Sequence, residues 1–169
     1  MKELNIMQAT QYTSPNPLTL ICTRNEDGST NVAPICFVSY LSFQPPMIGF
    51  AAGKQSHTAA RTQTEKKAVI TVPGKSLAEK VFACGESSGK DTAKVSEFGI
   101  EMKEIPDGGI QIPADTRLAF VCTLEKAEET GDHFFHICSI EKIYGDDTVD
   151  GLYAWNGFGK VAPAEEGNL

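Results

Sequence analysis

Apolar and β-branched residues occur along the chain in short runs separated by turn residues, a pattern typical of antiparallel β proteins. The Asp27-Gly28 turn is expected to join the first two runs into a hairpin. Pro34 cannot donate a backbone hydrogen bond, so its strand is expected to lie at a sheet edge or to be bulged there. In all, the runs predict six strands, at residues 18–24, 31–40, 47–52, 67–72, 116–128 and 133–144.

Three short helices are predicted between the strands. Ser76 and Glu79 have the spacing of a capping box, and the helix that they begin is expected to run to about Cys84. Another helix is expected at about 90–98, and a third after Ser56 as its N-cap. Strands outnumber helices and follow one another in hairpins, which predicts a mainly β fold: an antiparallel barrel with a few helices packed against it.

Composition and charge indicate one globular domain. The chain has 169 residues, of which 41% are hydrophobic and 22% are charged. No linker or internal repeat divides it, so we expect a single domain over residues 1–169, with a small, polar tail at 162–169 that frays. The formal net charge of -7 repels phosphate backbones, so no nucleic-acid partner is expected.

Several features predict a cytoplasmic protein without a membrane partner. The first ten residues, MKELNIMQAT, lack the apolar run of a signal peptide, and apolar stretches such as 46–53 are too short to cross a bilayer. The cysteines are odd in number and form no C-x-x-C pair, so we expect reduced thiols within strands. They are Cys22, Cys36, Cys84, Cys122 and Cys138.

Motifs for other chemistries are incomplete. Residues 85–90 (GESSGK) have three residues between the glycines where a phosphate-binding P-loop needs four, and Asp91 follows where that motif needs Ser or Thr. His133 and His136 are three apart on a strand and therefore face opposite sides, which disfavours a shared metal. No metal site is predicted. Cys84 has no histidine nearby in sequence and is interpreted as structural.

The segment at 53–62, GKQSHTAART, has two interpretations. Ser56 and Thr58 lie at the start of a predicted helix, where free backbone N–H groups carry partial positive charge. Lys54 and Arg61 add full charges, so the segment could hold a phosphate. The same hydroxyl residues also cap helices that bind no ligand, and the segment by itself does not decide between the two.

Five segments occur in an order found in one protein family. They are residues 17–36 (PLTLICTRNEDGSTNVAPIC), 43–50 (FQPPMIGF), 53–62 (GKQSHTAART), 84–98 (CGESSGKDTAKVSEF) and the turn at 131–133 (GDH). Together they resemble the flavin reductase-like family, the split-barrel FMN-binding proteins that include the flavoredoxins. The resemblance covers a core of about residues 15–144 and implies an antiparallel split β-barrel.

The resemblance also implies a homodimer with FMN bound near the subunit interface. Ser56 and Thr58 would hold the FMN phosphate, helped by Lys54 and Lys94. The flavin ring and ribityl chain would be lined by Asn31, Ala33, Pro34, Ile35 and Cys36. From the residues alone, Asn31 is equally well a turn residue, and Lys94 a lysine on a solvated helix face.

The chain departs from the family at two places near the implied site. Cys36 and Phe37 stand where many relatives have Ser-Trp, and Ala93 stands where relatives often carry a second acid. These changes alter the residues expected near the flavin ring, and therefore its stacking and redox tuning.

The function that the resemblance implies is electron transfer through FMN. FMN would accept a hydride from NAD(P)H at N5, and the electrons would pass to free flavin, ferric iron or a redox protein. No residue is assigned a catalytic acid or base role, including His133. Two alternatives are a flavoredoxin-type electron carrier without NAD(P)H activity and a non-redox barrel that binds another phosphorylated ligand.

Overall fold

The computed structural model describes residues 1–106 and 109–164. The strands are β1 Thr19–Arg24, β2 Thr30–Ile35, β3 Val38–Phe43, β4 Pro46–Gly53, β5 Lys67–Pro73, β6 Met102–Lys103, β7 Ile112–Pro113, β8 Thr116–Thr130, β9 His133–Gly145, β10 Leu152–Trp155 and β11 Lys160–Pro163. The α-helices are α1 Ile6–Tyr12, α2 His57–Glu65, α3 Ala78–Glu86 and α4 Lys94–Glu97.

Seven strands form one antiparallel sheet in the order β2-β1-β5-β8-β9-β4-β3. The strands β2 and β3 lie at opposite edges of this sheet, yet only Cys36 and Phe37 separate them along the chain. The two edges must therefore come together, and the sheet curls into a barrel. The barrel is closed there by the chain itself and not by a ladder of hydrogen bonds, which confirms the predicted antiparallel split barrel.

Both faces of the central strands are covered. In β1, Ile21 packs into the barrel interior with Phe50 and Ile70, while Leu20 and Cys22 belong to a second cluster outside the barrel wall. That outer cluster includes side chains of α3 and of β10. A strand buried on both sides needs apolar residues at successive positions, which explains the run LIC within β1.

Of three local predictions, two differ from the structure and one is confirmed. The predicted strand at 31–40 is two strands, because the chain leaves one sheet edge after Ile35 and joins the other at Val38. Pro34 does lie in an edge strand, as predicted. Ser76 does not cap α3, since its N–H and hydroxyl both donate to the carboxylate of Asp115.

Helix α4 is shorter than predicted, and α1, β10 and β11 give no clear signal in the sequence pattern. Residues 160–163 form β11, which pairs with β10, so the expectation of a frayed tail from 162 is wrong for its first residues. The remainder of that prediction, at 165–169, lies outside the described residues. None of the helices in the described part of the chain combines the length and apolar character of a membrane crossing.

All five cysteines are unpaired, but two of them lie outside strands. Cys84 is buried in α3, and Cys36 is partly exposed in the crossing between β2 and β3. Burial raises the pKa of the Cys36 thiol to about 11, so it remains a neutral group at physiological pH.

Candidate functional site

Helix α2 begins as the sequence predicts. Ser56 is its N-cap, and its hydroxyl oxygen accepts a hydrogen bond of 3.1 Å from the backbone N–H of Ala59. Thr58 lies in the first turn and is buried. Since the Ser56 oxygen is already an acceptor, its hydroxyl hydrogen is available for another partner.

A polar cavity of about 400 Å³ opens at this helix start. It brings together the edge strand β2, the start of α2 and the segment from α3 to α4, which are far apart in sequence. Residues 84–89 form part of its wall. The predicted site residues that line it are Ala33, Pro34, Ile35, Ser56, Thr58 and Lys94.

Lys94 is the strongest sign of a ligand in the polar cavity. Its side chain is buried, with the residue only 5% exposed, and Nζ donates a 2.7 Å hydrogen bond to the carbonyl oxygen of Cys84. No carboxylate in the described part of the chain forms a salt bridge with it. Burial holds the pKa of Lys94 below its ordinary value. A buried cation without a counter-ion is costly, so the geometry favours an anion in the cavity.

His57 adds a second titratable group to the same cavity. Its Nε2 lies 2.8 Å from Oδ1 of Asn25, so the imidazole is held against the turn between β1 and β2. Burial and the positive charges of Arg61 and Lys94 hold the pKa of His57 below its ordinary value. An anion near His57 would oppose that effect and favour the protonated imidazole.

Asn31 does not line the polar cavity, although the family resemblance implies that it lies beside the flavin. It is 2% exposed and lies behind Thr58, with Nδ2 donating to Oγ1 of Thr58 at 3.0 Å and to Oγ1 of Thr23 at 3.2 Å. Its Oδ1 has no partner among the described residues. A Cβ on Gly89 would collide with this oxygen, so the cavity wall packs directly on Asn31.

The polar cavity continues into an apolar one of about 330 Å³. The two share Pro34, Ile35, Gly85 and Glu86. Cys36, predicted to lie at the ring, lines only the apolar cavity. The aromatic residues that line the apolar cavity are Phe37, Phe82, His133 and Phe158.

Aromatic contacts shape the apolar cavity. The ring of Phe37 lies 5.5 Å from that of His133 and 5.9 Å from that of Phe158. Nδ1 of His133 lies 2.6 Å from a carboxylate oxygen of Asp132, which orients the imidazole. Phe158 comes from the turn between β10 and β11, and nothing in the sequence around it indicates that it reaches this site.

Two other predicted cations are neutralised by nearby glutamates. Lys54 donates to the carboxylate of Glu129 and does not line either cavity, so the structure does not place it with Ser56 and Thr58. Arg61 is buried against Glu65, with 2.5 Å between Nη2 and Oε1, and also contacts Glu26. Lys94 therefore remains as the lysine of the predicted set that faces the polar cavity.

The two cavities adjoin each other at their shared lining residues, and together we call them the cleft, with a hydroxyl- and cation-lined end and an aromatic end. The cleft suits an elongated ligand that carries an anionic group on one side and a flat apolar ring on the other. The two histidines of β9 lie in different places. His133 lines the cleft, whereas His136 is buried in the barrel and stacks on Phe50, with 4.6 Å between the ring centroids.

Comparison with known proteins identifies a matching domain family and sequence relatives. Residues 12–162 match the model of the flavin reductase like domain. An uncharacterized protein of Halalkalibacterium halodurans is 25% identical over 69% of the chain, and one of Archaeoglobus fulgidus is 27% identical over 72%. The match spans 58% of the first relative and 69% of the second.

Solved structures share the fold at low identity. The flavoredoxin of Desulfovibrio vulgaris superposes with a TM-score of 0.84 at 17% identity, covering 100% of this chain and 96% of that one. An FMN-binding protein from Thermus thermophilus superposes with a TM-score of 0.82 at 17% identity, covering 100% of this chain and 98% of that one. The NADH:FAD oxidoreductase SgcE6 of Streptomyces globisporus superposes with a TM-score of 0.82 at 11% identity, covering 98% of this chain and 99% of that one.

Proposed function

The chain belongs to the flavin reductase-like family, and on this premise we propose that it is an FMN-binding oxidoreductase. In this proposal, electrons derived from NAD(P)H pass through bound FMN to free flavin or ferric iron. The Thermus protein of the same fold is described as FMN-binding, and the Streptomyces one as an NADH:FAD oxidoreductase, which supports both parts of the proposal.

The observation that carries the proposal is the two-ended cleft. FMN has a phosphate at one end and a flat ring at the other. The cleft has at one end a buried lysine that pairs with no carboxylate of the described residues, and at the other end aromatic side chains. The residues present therefore fit the cofactor. With a neutral ligand, Lys94 would stay buried without a counter-ion from residues 1–106 or 109–164.

At the polar end, Ser56, Thr58 and Lys94 would hold the phosphate. All three have donor hydrogens to offer, and the free N–H groups of the first turn of α2 add partial positive charge. A hydrogen bond to a charged group contributes about 1.5–3 kcal/mol. Lys54 is left out of this set because its ammonium already pairs with Glu129.

At the apolar end, the edge strand β2 and two phenylalanines would hold the ring. An edge strand presents backbone N–H and C=O groups that no neighbouring strand uses, and Ala33, Pro34 and Ile35 bring this edge to the cleft. Those groups could bond the polar rim of a flavin, and Phe37 and Phe158 would contact its ring. The redox chemistry is supplied by the flavin itself, as a hydride acceptor and electron donor.

The alternative is an electron carrier that receives electrons from a protein. The flavoredoxin of Desulfovibrio vulgaris has the same fold, and the net charge of -7 would suit docking to a basic redox partner. Both functions use the same cleft, so the reaction with NAD(P)H separates them.

The deciding experiment is anaerobic spectroscopy of the purified protein with FMN. We expect a bound-flavin band that bleaches on addition of NADH or NADPH and returns when free flavin or ferric iron is supplied. A flavin band that neither nucleotide bleaches would favour the electron carrier. Failure to bind FMN would exclude both and leave a barrel for another phosphorylated ligand.

A further inference from the structure

We infer that Asn31 is a positioning residue that commits the Thr58 hydroxyl to donate into the polar cavity, so that the cleft selects flavins that end in a phosphate. This inference rests on the proposed function, because it concerns the same cleft. It replaces the expectation that Asn31 touches the ring, since Asn31 lies behind Thr58 and lines neither cavity.

The side-chain amide of Asn31 has two hydrogens, and it donates both to hydroxyl oxygens of threonines. One goes to Thr58 at 3.0 Å and the other to Thr23 at 3.2 Å. Asn31 and Thr23 are neighbours across the β1–β2 ladder, which fixes the position of the amide. The oxygen of Thr58 is therefore a hydrogen-bond acceptor from a rigid, buried donor.

A threonine hydroxyl has one hydrogen, and that of Thr58 has no acceptor among the described residues. The other threonines of α2 differ, because Thr62 donates to the carbonyl of Thr58 at 2.8 Å and Thr64 donates to that of Ala60 at 3.0 Å. Both turn their hydroxyls back onto the helix four residues earlier. Thr58 sits in the first turn, where it lines the cavity and its oxygen is held by Asn31.

The result is a set of groups that offers hydrogens into the cavity. The oxygen of Ser56 already accepts from the N–H of Ala59, and that of Thr58 already accepts from the amide of Asn31. The side chain of Lys94 has no acceptor atom. A phosphate has only acceptor oxygens at these positions, whereas an alcohol needs both kinds of partner. The cleft should therefore distinguish FMN from riboflavin through this arrangement.

The cavity wall at Gly89 holds the Asn31 amide in position behind Thr58. A Cβ at Gly89 would collide with Oδ1 of Asn31, so the segment from α3 to α4 packs tightly on the amide. The amide is thus fixed between the β1–β2 hairpin and this segment.

The test is a double-mutant cycle on flavin binding, with FMN and riboflavin as the two probes. Asn31→Leu removes the donor at similar volume, Thr58→Val removes the hydroxyl, and the double variant completes the cycle. Asn31→Ala repeats the cycle should the leucine variant not fold. Thr71→Val is the matched control, because Thr71 is a buried threonine whose hydroxyl bonds the carbonyl of Leu20 and does not line the cleft.

We expect Asn31→Leu to weaken FMN binding about tenfold and riboflavin binding less than about twofold. In the Thr58→Val background, the same change should have less than about a twofold further effect on FMN. Equal losses for both flavins, or losses that add in the double variant, would overturn the inference while leaving FMN binding intact. Wild-type protein that binds neither flavin would instead contradict the proposed function.

Discussion

At the scale of single residues, the buried polar groups indicate most clearly what kind of ligand the cleft binds. Within the part of the chain that the structure describes, Lys94 is buried next to a carbonyl oxygen without a carboxylate partner, and Oδ1 of Asn31 has no hydrogen-bond partner. Groups of this kind destabilise a folded protein unless something compensates them. Here a phosphorylated ligand would compensate the lysine.

Replacing Lys94 separates binding from stability. We expect Lys94→Met to weaken FMN binding by about 10- to 100-fold, because a charged hydrogen bond to the phosphate is lost. The ligand-free protein should keep or gain thermal stability, since the change removes a buried charge that no described carboxylate neutralises. Fluorescence titration with FMN and thermal unfolding of the free protein measure the two effects.

Lys90→Met is the matched control, because Lys90 is an exposed lysine in the same segment and does not line the polar cavity. FMN affinity that is equal in the two variants would contradict a role for Lys94 at the phosphate.

The depressed pKa of Lys94 also predicts how FMN binding depends on pH. Burial lowers the pKa of the free ammonium, so it loses its proton at a lower pH than an ordinary lysine, whose pKa is 10.5. An anion favours the protonated form, and FMN affinity should therefore fall as pH rises through the lowered pKa. Titrations from neutral to alkaline pH test this, and the fall should be absent in Lys94→Met.

His136 predicts a loss of stability in mild acid. It is fully buried, stacked on Phe50, and its Nδ1 has no partner among the described residues. Burial lowers its pKa below the ordinary value of 6.5, so beneath that pH the unfolded chain binds a proton that the folded chain excludes. The free energy of unfolding should be highest above 6.5 and fall as pH drops toward the folded pKa.

Urea denaturation at two pH values, on either side of 6.5, measures this effect. The variant His136→Gln should be less sensitive to pH over this range than the wild type. An unchanged pH dependence in His136→Gln would show that another group is responsible.

At the scale of elements, the site depends on where β2 ends and where the segment from α3 to α4 lies. The chain crosses from one edge of the sheet to the other at Cys36 and Phe37, which places both residues in the apolar cavity. The segment 84–89 lines the polar cavity and packs on Asn31. Neither element makes the cleft by itself.

The contact at Gly89 makes that packing testable. We expect Gly89→Ala to weaken FMN binding, because the added methyl group would displace either Asn31 or the wall of the cavity. Gly145→Ala is the control, since a Cβ at Gly145 would meet its neighbours at 3.7 Å or more, in ordinary contact. Titration with FMN measures the effect, and equal affinity in both variants would contradict tight packing at Gly89.

At the scale of the whole molecule, the edge strand β3 leaves a large apolar surface uncovered. Tyr40, Leu41 and Phe43 are exposed there, Phe43 by 93%, and Phe37 at the cleft is half exposed. Edge strands with exposed apolar side chains pair readily with other chains. We propose that a second copy of the chain covers β3 in a homodimer, with the cleft close to the interface.

Charges on β3 should disrupt that dimer. We expect Leu41→Glu combined with Phe43→Glu to give a monomer with weaker FMN binding, since each exposed apolar side chain would become a buried charge in the interface. Light scattering measures the mass, and titration measures the affinity. Met7→Glu is the control because Met7 is an exposed apolar residue on α1. A wild-type protein that is monomeric at high concentration would refute the proposed dimer.

The sequence by itself determined the features that depend on near neighbours along the chain. The hairpin at Asp27-Gly28, the two long strands β8 and β9 and the cap at Ser56 follow from apolar pattern, turn residues and capping chemistry. The order of five short segments was also enough to indicate the family, and with it the barrel. These features need no knowledge of what lies across the fold.

Only the tertiary structure decided which polar groups meet. It paired Lys54 with Glu129, buried Lys94 against the carbonyl oxygen of Cys84, and placed Asn31 behind Thr58. It also brought Phe158 to the aromatic end of the cleft. The physical reason is that burial and pairing depend on groups many residues apart along the chain, whose meeting is set by the closure of the barrel. Local propensity depends on residues that are close in sequence, so it does not predict these contacts.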